Sequence, residues 1–456
     1  MKKKSLAILA LSVALSAGAA FTAMAAAGWA TENGKWVYYD SSGSLVTHEW
    51  KKGADNQWRY LNGYGEMAID SWVDDCYYVD SNGIMVSGKW LQLSCNAYGD
   101  TDDSHWYYFN DSGKAVMSAW KKINNKWYHF DSDGAMETGW IEDDMYYAGD
   151  DGAALIGWHK LEPPDGQEED SKDPFDEDEG KKWYYFNSSG KKYVPTEDAN
   201  NGYAEKRIDG TYYCFNMNGA MQTGWVNLGT DSDDDSAIAG YRFYGKDGKA
   251  VTGWYSAEPP EDISGYENDI EWFYFSKSGV PKTGPEYGEA RTTDFVRLNN
   301  KTYLFNTLGN PVYGIQKVYT NSSRTEYTAY YFDENSRTVL KGKQSITEDD
   351  GTTATYYFTD SGKGYTGVKS GYLYYMGKLQ EAEDGSRYQP IYIPGGSTYL
   401  VNTSGRIVKS TSGVKDADGI KYYTNSNGIL VKVDEESVSG SEYGKEAEEP
   451  IWEHQS

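Results

Sequence analysis

The chain has 456 residues, of which 42 are Tyr, 16 are Trp and 50 are Gly, while hydrophobic residues of all types make up only 39%. The formal net charge of −26 repels phosphate backbones and argues against nucleic acid as a partner. Apolar surface concentrated in rings suits many small contact sites better than one deep core. The three cysteines are too few for a disulfide framework.

The N-terminus has the three parts of a secretory signal. Residues 2–4 are lysines, an apolar run covers residues 6–20, and Ala-Met-Ala at residues 23–25 offers small side chains for cleavage. We therefore predict a signal peptide over residues 1–25. An uncleaved membrane anchor is disfavoured because the apolar run is shorter than the ~20 residues of a span. No membrane span is expected after cleavage.

One pattern recurs along the rest of the chain. It starts at a residue that we call position a, continues with two mainly aromatic or apolar residues, and reaches a glycine seven residues after position a. The copies run from Trp36 to Gly43, Trp58 to Gly65, Cys76 to Gly83, Trp106 to Gly113, Trp127 to Gly134, Met145 to Gly152, Trp183 to Gly190, Tyr212 to Gly219, Tyr241 to Gly248, Trp272 to Gly279, Thr302 to Gly309, Thr355 to Gly362, Thr398 to Gly405 and Lys421 to Gly428. Ala329 to Ser336 lacks the glycine, and a degenerate copy near Leu373 brings the count to about sixteen.

In the first half of the chain a tryptophan follows the glycine by six or seven residues, often as a Gly-Trp pair. Aromatic runs such as residues 127–130 indicate strands, and Asn33-Gly34 supplies turn residues just before position a. The tryptophan strand, the turn and the position-a strand therefore make a β-hairpin. A lone hairpin is not stable in water, so the hairpins must stack. We predict an all-β fold, a β-hairpin solenoid of about sixteen short repeats.

The pattern divides the chain into four segments. After the signal peptide, residues 26–290 form Trp-rich repeats, residues 291–433 form degenerate Tyr-rich repeats without Gly-Trp, and residues 434–456 form an acidic tail that we predict to be disordered. Acidic insertions lie in the turns between paired strands, at residues 162–180, 229–239, 257–271, 348–353 and 381–387. They lack the spacing of a calcium loop, so solvated loops open to a protein partner are favoured and no metal site is predicted.

The aromatic columns can form cages for a quaternary ammonium, because ring faces carry negative electrostatic potential. We expect each Gly-Trp ring to pair with the position-a ring of its own hairpin. The expected pairs are Trp29 with Trp36, Trp50 with Trp58, Trp90 with Trp106, Trp120 with Trp127, Trp158 with Trp183, Trp225 with Tyr241 and Trp254 with Trp272. The third ring would come from Tyr60, Tyr78, Tyr108, Tyr147 or Tyr185, two residues after position a. Core packing is the alternative, and we favour it for the tyrosine directly after position a, as in Tyr107, Tyr128 and Tyr184.

Residues 126–140, Lys-Trp-Tyr-His-Phe-Asp-Ser-Asp-Gly-Ala-Met-Glu-Thr-Gly-Trp, strongly resemble the choline-binding repeats of Gram-positive surface proteins. The resemblance covers residues 28–290 well and extends in degenerate form to about residue 433, where it resembles cell-wall-binding and glucan-binding repeats. It implies a β-hairpin solenoid that binds choline on teichoic acids. In the related enzymes such repeats anchor a separate catalytic domain.

The chain departs from this family pattern after residue 272. Pro285, Ile315 and Val368 stand where Gly-Trp rings would be, and Thr302, Ala329 and Thr355 replace the position-a tryptophan. Few or no choline cages are expected there.

No enzymatic motif is recognisable. The five histidines are scattered without metal-ligand spacing, and no nucleophile elbow or phosphate loop occurs. We therefore expect no catalysis and no cofactor. The predicted function is that of a secreted, wall-associated protein that binds choline-bearing teichoic acid or a cell-wall polysaccharide. A glucan-binding repeat protein and a surface adhesin that binds a host partner stay open as alternatives.

Overall fold

The structure is a computed structural model that describes residues 27–94, 104–167, 180–229, 237–438 and 443–453. The predicted signal peptide lies outside the described residues. The chain divides into two compact units, residues 1–160 with 184–193 and residues 161–183 with 194–456. Short antiparallel strands dominate both units, which confirms the predicted all-β fold of stacked hairpins. Within the described ranges, no helix has the length and apolar character needed to cross a membrane.

The first fourteen strands pair two by two, each odd-numbered strand with the one that follows it. They are β1 (Gly28–Glu32), β2 (Lys35–Tyr39), β3 (Glu49–Lys52), β4 (Trp58–Leu61), β5 (Ser71–Val73), β6 (Tyr77–Val79), β7 (Lys89–Leu93), β8 (His105–Phe109), β9 (Ala119–Ile123), β10 (Lys126–Phe130), β11 (Gly139–Ile141), β12 (Tyr146–Ala148), β13 (Gly157–Leu161) and β14 (Lys182–Phe186).

The later strands begin as hairpins and then form wider sheets. They are β15 (Tyr203–Ile208), β16 (Thr211–Asn216), β17 (Gly224–Asn227), β18 (Tyr241–Tyr244), β19 (Gly253–Ala257), β20 (Glu271–Phe275), β21 (Val296–Leu298), β22 (Lys301–Tyr303), β23 (Gly314–Tyr319), β24 (Tyr327–Phe332), β25 (Gly342–Thr347), β26 (Thr353–Phe358), β27 (Gly367–Lys369), β28 (Tyr372–Tyr375), β29 (Lys378–Leu379), β30 (Tyr388–Tyr392), β31 (Thr398–Asn402), β32 (Val414–Lys415), β33 (Lys421–Thr424), β34 (Leu430–Val433), β35 (Glu436–Ser437) and β36 (Lys445–Glu446). Strands β15 to β24 pair two by two, and the rest form sheets ordered β25-β26-β29-β28-β27, β31-β30-β36 and β32-β33-β34-β35. Short 3-10 helices cover Asn200–Gly202, Ala237–Gly240 and Thr292–Asp294.

The hairpin turns use residues that accept a left-handed backbone. Asn33 and Gly34 have φ angles of 50° and 79°, and Asn124 and Asn125 have φ angles of 48° and 69°. Two consecutive positive φ angles match the twist of paired strands, so these turns close the hairpins tightly.

A second turn follows each position-a strand. In the first repeat the Asp40 side chain accepts hydrogen bonds from the backbone N–H groups of Ser42 and Ser44 at 2.8 and 2.9 Å, and Gly43 has a φ of 77°. The same arrangement recurs at Asp80, Asn110, Asp131 and Asn187. The Asp or Asn four residues after position a therefore fixes the turn, and the glycine supplies its positive φ.

A backbone hydrogen bond joins each repeat to the next. The N–H of the residue nine after position a donates to the carbonyl of the preceding position a. In the first unit these bonds run from Met67 to Trp36, Met85 to Trp58, Ala115 to Cys76, Met136 to Trp106, Ala154 to Trp127 and Lys192 to Met145, at 2.7–2.9 Å. Because only main-chain atoms take part, the link persists where Cys76 or Met145 replaces the aromatic ring.

Proline occupies this linking position twice in the second unit, at Pro281 and Pro311, and proline has no N–H to donate. Side chains reach the two carbonyls instead. Arg242 Nη1 donates to the carbonyl of Tyr241 at 2.8 Å, and Asn310 Nδ2 donates to the carbonyl of Trp272 at 3.3 Å.

The degenerate repeats bury their apolar side chains in several core clusters, of which one contains both Ile315 and Ala329. Ile315, at a Gly-Trp position, is 1% exposed, and Ala329, at position a, is fully buried. They share this core with Tyr356, Phe358 and Leu373. Aliphatic side chains at these two positions therefore close the region that carries rings in the earlier repeats.

The prediction that residues 434–456 are disordered is wrong for the parts that the structure describes, residues 434–438 and 443–453. Strand β36 pairs in parallel with β30. The backbone of Glu448 donates to the Gln380 amide oxygen at 2.8 Å and accepts from its nitrogen at 3.0 Å. Ala447 is 5% exposed in the core. The tail gains its order from the repeats rather than from a core of its own, which composition cannot reveal.

A buried carboxylate anchors the same tail. The Glu348 side chain is 1% exposed, pairs with Lys378 at 2.9 Å and accepts a hydrogen bond from the Tyr356 hydroxyl. The backbone N–H of Ile451 supplies a further donor at 3.0 Å. A buried charge is costly unless it is paired and hydrogen-bonded, so the tail contributes to the stability of this cluster.

Ending the chain after residue 438 should therefore lower the free energy of unfolding of the second unit by about 3 kcal/mol, because it removes a strand and leaves Glu348 short of a donor. Urea unfolding followed by circular dichroism measures this. Tyr327→Phe is a graded control that deletes only the hydroxyl bond to Glu449 and should cost about 1 kcal/mol. An unchanged unfolding midpoint in the shortened chain would contradict the docked tail.

The cysteines differ in environment. Cys214 is fully buried beside Val226 and Tyr244, and burial raises the pKa of its thiol to about 12, whereas Cys76 is only half-buried. Because the thiolate is the reactive form, iodoacetamide at pH 8 should modify Cys76 well before Cys214 in the folded protein. Peptide mass spectrometry over time measures both rates. In urea the two rates should converge, and equal rates without urea would refute the burial of Cys214.

Candidate aromatic binding site

The Gly-Trp rings pack against the strand that follows them. Each tryptophan lies opposite the residue two after position a: Trp29 opposite Tyr38, Trp50 opposite Tyr60, Trp72 opposite Tyr78, Trp90 opposite Tyr108, Trp120 opposite His129, Trp140 opposite Tyr147, Trp225 opposite Phe243 and Trp254 opposite Tyr274. The centroids of these ring pairs are 4.9–5.7 Å apart. These separations are typical of favourable aromatic contacts.

The next hairpin adds a second ring to the same tryptophan. The contacts join Trp50 to Tyr77, Trp72 to Tyr107, Trp90 to Tyr128, Trp120 to Tyr146 and Trp140 to Tyr184, with centroids 4.8–5.4 Å apart. All these tyrosines directly follow position a. Each Gly-Trp ring is therefore held between two hairpins, and it is half-buried rather than sealed.

The position-a tryptophans are exposed instead. Trp36, Trp58, Trp106, Trp127, Trp183 and Trp272 leave between 37% and 54% of their surface open to solvent. Exposed rings repeated at a fixed spacing offer contact surface to a ligand.

Four of the expected ring pairs are diagonal neighbours rather than direct partners across the hairpin: Trp29–Trp36, Trp50–Trp58, Trp90–Trp106 and Trp120–Trp127. In these hairpins the register places position a two residues from the direct partner of the Gly-Trp ring, opposite Thr31, Lys52, Gln92 and Lys122. Trp225 with Tyr241 and Trp254 with Trp272 contact each other, with centroids 6.3 and 6.5 Å apart. The repeat spacing indicated which rings share a face, but the diagonal offset depends on the strand register.

Rings from three successive hairpins line one cavity in the first unit. The cavity has a volume of about 510 Å³ and is lined by Trp36 at position a, Tyr60 of the next hairpin and Trp72 of the one after, together with Met67. Lys35 and Glu66 also line the cavity and form an ion pair at 2.5 Å. Tyr60 is thus supplied by the hairpin after Trp36, the arrangement expected for a third ring. The negative faces of the aromatic rings favour an organic cation.

The remaining expected third rings lie against the Gly-Trp ring of their own hairpin, Tyr78 on Trp72, Tyr108 on Trp90, Tyr147 on Trp140 and Tyr185 on Trp158. Sequence reasoning missed Tyr77 and Tyr146, which are half-buried and face the preceding Gly-Trp ring. Tyr128, for which core packing was expected, packs on Trp90 but is only half-buried. Core packing was the correct expectation for Tyr107 and Tyr184, which are at most 1% exposed. Side chains alternate between the two faces of a strand. Because these hairpins are covered on both faces, the residue directly after position a also meets a neighbouring ring, and this reasoning would have indicated these tyrosines.

The site at Trp120 is polar. His129 takes the place of the tyrosine and its Nδ1 forms a hydrogen bond with the Glu137 carboxylate. Glu142 Oε1 accepts a hydrogen bond from Trp120 Nε1 at 2.9 Å and lies 3.7 Å from His129 Nε2. Two carboxylates near these rings favour a positively charged ligand at this position.

The site at Trp225 in the second unit is closed. Trp225 packs on Phe243 and Phe273 with centroids 5.1 and 4.9 Å away. Tyr241 is 5% exposed, its hydroxyl binds the Asp262 carboxylate, and burial with this hydrogen bond raises its pKa to about 12. Tyr241 therefore acts as core here, not as an open binding ring.

The acidic insertions are described only in part, because residues 168–179 and 230–236 lie outside the described ranges. Within the described ranges no group of three or more His, Cys, Asp or Glu side chains is placed to hold a metal ion.

Residues 26–72 match the family described as "Choline-binding repeat". Residues 101–115, 118–136 and 177–192 match the family described as "Putative cell wall binding repeat". These matches confirm the resemblance to choline-binding and cell-wall-binding repeats that the residues indicate.

Similar proteins include two curated glucosyltransferases. The chain is 24% identical to Glucosyltransferase-I of Streptococcus downei, across 87% of this chain and 26% of that protein. It is 27% identical to Glucosyltransferase-S of Streptococcus mutans serotype c, across 56% of this chain and 16% of that protein. The chain thus spans about a quarter or less of the length of these relatives.

Similar solved structures include two proteins of Streptococcus pneumoniae. The modular autolysin LytC is 20% identical, with 63% of this chain and 52% of that chain covered and a TM-score of 0.38. CbpJ is 21% identical, with 68% of this chain and 99% of that chain covered and a TM-score of 0.38.

The two tryptophan columns should differ in their effect on stability. Trp90→Ala removes a ring that packs on Tyr108, Tyr128 and Phe130, and should cost about 3–5 kcal/mol of unfolding free energy. Trp127→Ala removes a ring that is 39% exposed and should cost about 1 kcal/mol. Urea unfolding of both variants measures the difference. Equal losses would show that the columns do not divide into a packed set and an open set.

Proposed function

We propose that the repeats of residues 26–290 attach the protein to the cell wall by binding choline on teichoic acids through aromatic cages. The observation that supports this best is the cavity lined by Trp36, Tyr60 and Trp72, which come from three consecutive hairpins, with Glu66 beside them. The negative faces of such rings attract a trimethylammonium group, and Glu66 is paired with Lys35 at the edge of the rings. The exposed position-a tryptophans make this surface accessible from solvent.

Multiple weak sites give firm attachment to a polymer. A contact of a cation with one ring contributes about 0.5–2 kcal/mol, so a three-ring cage binds at roughly millimolar concentration. Once one cage is occupied, a polymer that carries choline at intervals presents the next one at high effective concentration. Attachment then depends on the number of open cages rather than on the affinity of any single one.

Glucan binding is the second candidate, and the similarity to two glucosyltransferases favours it. Exposed tryptophan and tyrosine faces can stack on sugar rings as well as on a cation. The Glu142 carboxylate beside Trp120 and His129 favours the cation at that position.

We further propose that the chain is secreted through the signal at residues 1–25 and acts without catalysis, as its motifs indicate. The acidic loops remain candidates for a protein partner, which would make an adhesin role additional to wall attachment.

Binding to a tertiary-amine resin tests the ligand. We expect retention and release by free choline, whereas release by glucan oligomers alone would overturn the choline assignment and support the second candidate. Trp36→Ala should weaken choline binding at its cage about tenfold, measured by nuclear magnetic resonance titration of the Trp72 indole signal. Tyr64→Ala is the matched control, because Tyr64 is 84% exposed and lies outside the cavity.

A further inference from the structure

A buried lysine lies against a Gly-Trp ring of the first unit. Lys192 is 4% exposed, and its Nζ is 4.7 Å from the centroid of the Trp140 ring and 5.4 Å from that of Tyr184. Both distances lie within the ~6 Å over which a ring face attracts an ammonium. Trp140 and Tyr184 are the ring pair that the two adjoining hairpins supply at this level of the stack. The lysine ammonium therefore stands where a ligand's cation would meet these rings.

Burial shapes the chemistry of this amine. Desolvation lowers the pKa of Lys192 to about 8, although the negative charge of Asp144 acts in the opposite direction. The ammonium is thus mostly removed from water, and the two ring faces and the Asp144 carboxylate stabilise its charge.

Lys192 stands at a position that recurs in every repeat, but no other Trp-rich repeat has a charged residue there. It is the residue nine after position a, whose N–H links the hairpins, and it donates to the carbonyl of Met145 at 2.7 Å. The same position in the other Trp-rich repeats carries only uncharged residues, Met67, Met85, Ala115, Met136, Ala154, Met221, Ala250 and Pro281. A lysine here is therefore not required by the hairpin stack.

Other lysines near tryptophans differ in exposure. Lys52 and Lys122 lie 5.0 and 5.9 Å from the rings of Trp58 and Trp127, and both lysines are exposed. A ligand can displace such side chains into solvent at little cost. Lys192 is only 4% exposed, so a ligand could displace it only by rearranging the residues packed around it.

We propose that Lys192 is a built-in cation that fills the aromatic site at Trp140 and Tyr184 and closes it to choline. The proposal rests on the proposed choline-binding function, and it specifies which level of the stack stays unoccupied. A quaternary ammonium would have to occupy the space that the lysine side chain fills, and the positive charge of Lys192 would repel it. Lys192 thereby sets the number and spacing of cages that a choline-bearing polymer can engage.

Choline titration of the full chain, followed through tryptophan indole N–H signals, tests this. In the wild type the Trp140 signal should stay in place at choline concentrations that shift the Trp72 signal. Lys192→Ala, which carries the residue found at Ala115 and Ala154, should make the Trp140 signal respond and add one choline per chain. A responding Trp140 in the wild type would overturn the proposal, as would a silent Trp140 in folded Lys192→Ala when Trp72 responds.

Two further variants serve as controls. Lys192→Met keeps the site filled with an uncharged chain of similar length, so its Trp140 signal should stay silent, and it preserves the test if Lys192→Ala does not fold. Lys191→Ala makes the same charge change at the exposed neighbouring residue and should behave like the wild type.

A measurement without choline separates this proposal from the function it rests on. Ring currents should shift the ε-methylene protons of Lys192 upfield, giving a signal that disappears in Lys192→Met and persists in Lys191→Ala. If no indole responds to choline in any variant, the proposed choline function fails. The upfield signal then still decides whether Lys192 fills the site, and its absence would refute the built-in cation.

Discussion

The hydrogen bond from the ninth residue after position a to the carbonyl of the preceding position a determines how far apart the hairpins stand. It holds six consecutive junctions of the first unit at 2.7–2.9 Å. Because it involves no side chain, the rings can vary without loss of the stack, as Cys76 and Met145 show. The distance that it sets also brings the tyrosine after position a onto the previous Gly-Trp ring. Packing and binding geometry thus both follow from one main-chain contact.

The aromatic residues divide into two groups that differ in their exposure to solvent. Gly-Trp rings are half-buried between hairpins and replace the aliphatic core that the composition lacks. Position-a rings leave 37–54% of their surface in solvent and are available to a ligand. In the degenerate repeats the exposed group is missing, and side chains such as Ile315 and Ala329 close the core. The exposed aromatic surface at position a therefore decreases along the chain while short antiparallel strands continue.

The hairpins were predictable because local chemistry decides them. Asn33-Gly34 and the Asp40 turn need only nearby atoms, and the seven-residue spacing to glycine repeats them. The ring partners were harder, since the diagonal offset between Trp29 and Trp36 depends on register. The cavity at Trp36 combines rings from three consecutive hairpins, so it depends on how the hairpins stack. The order of the tail was not predictable, because it depends on Glu348 about a hundred residues away.

The two linking prolines interrupt the series of main-chain links in the second unit. At Pro281 and Pro311 no N–H is available for the carbonyls of Tyr241 and Trp272, which accept from Arg242 Nη1 and Asn310 Nδ2 instead. Arg242 directly follows Tyr241, so it satisfies that carbonyl without joining two hairpins, whereas Asn310 joins the hairpins by a side chain alone. Under a force applied along the chain, the hairpins of this unit should therefore separate first at these two junctions.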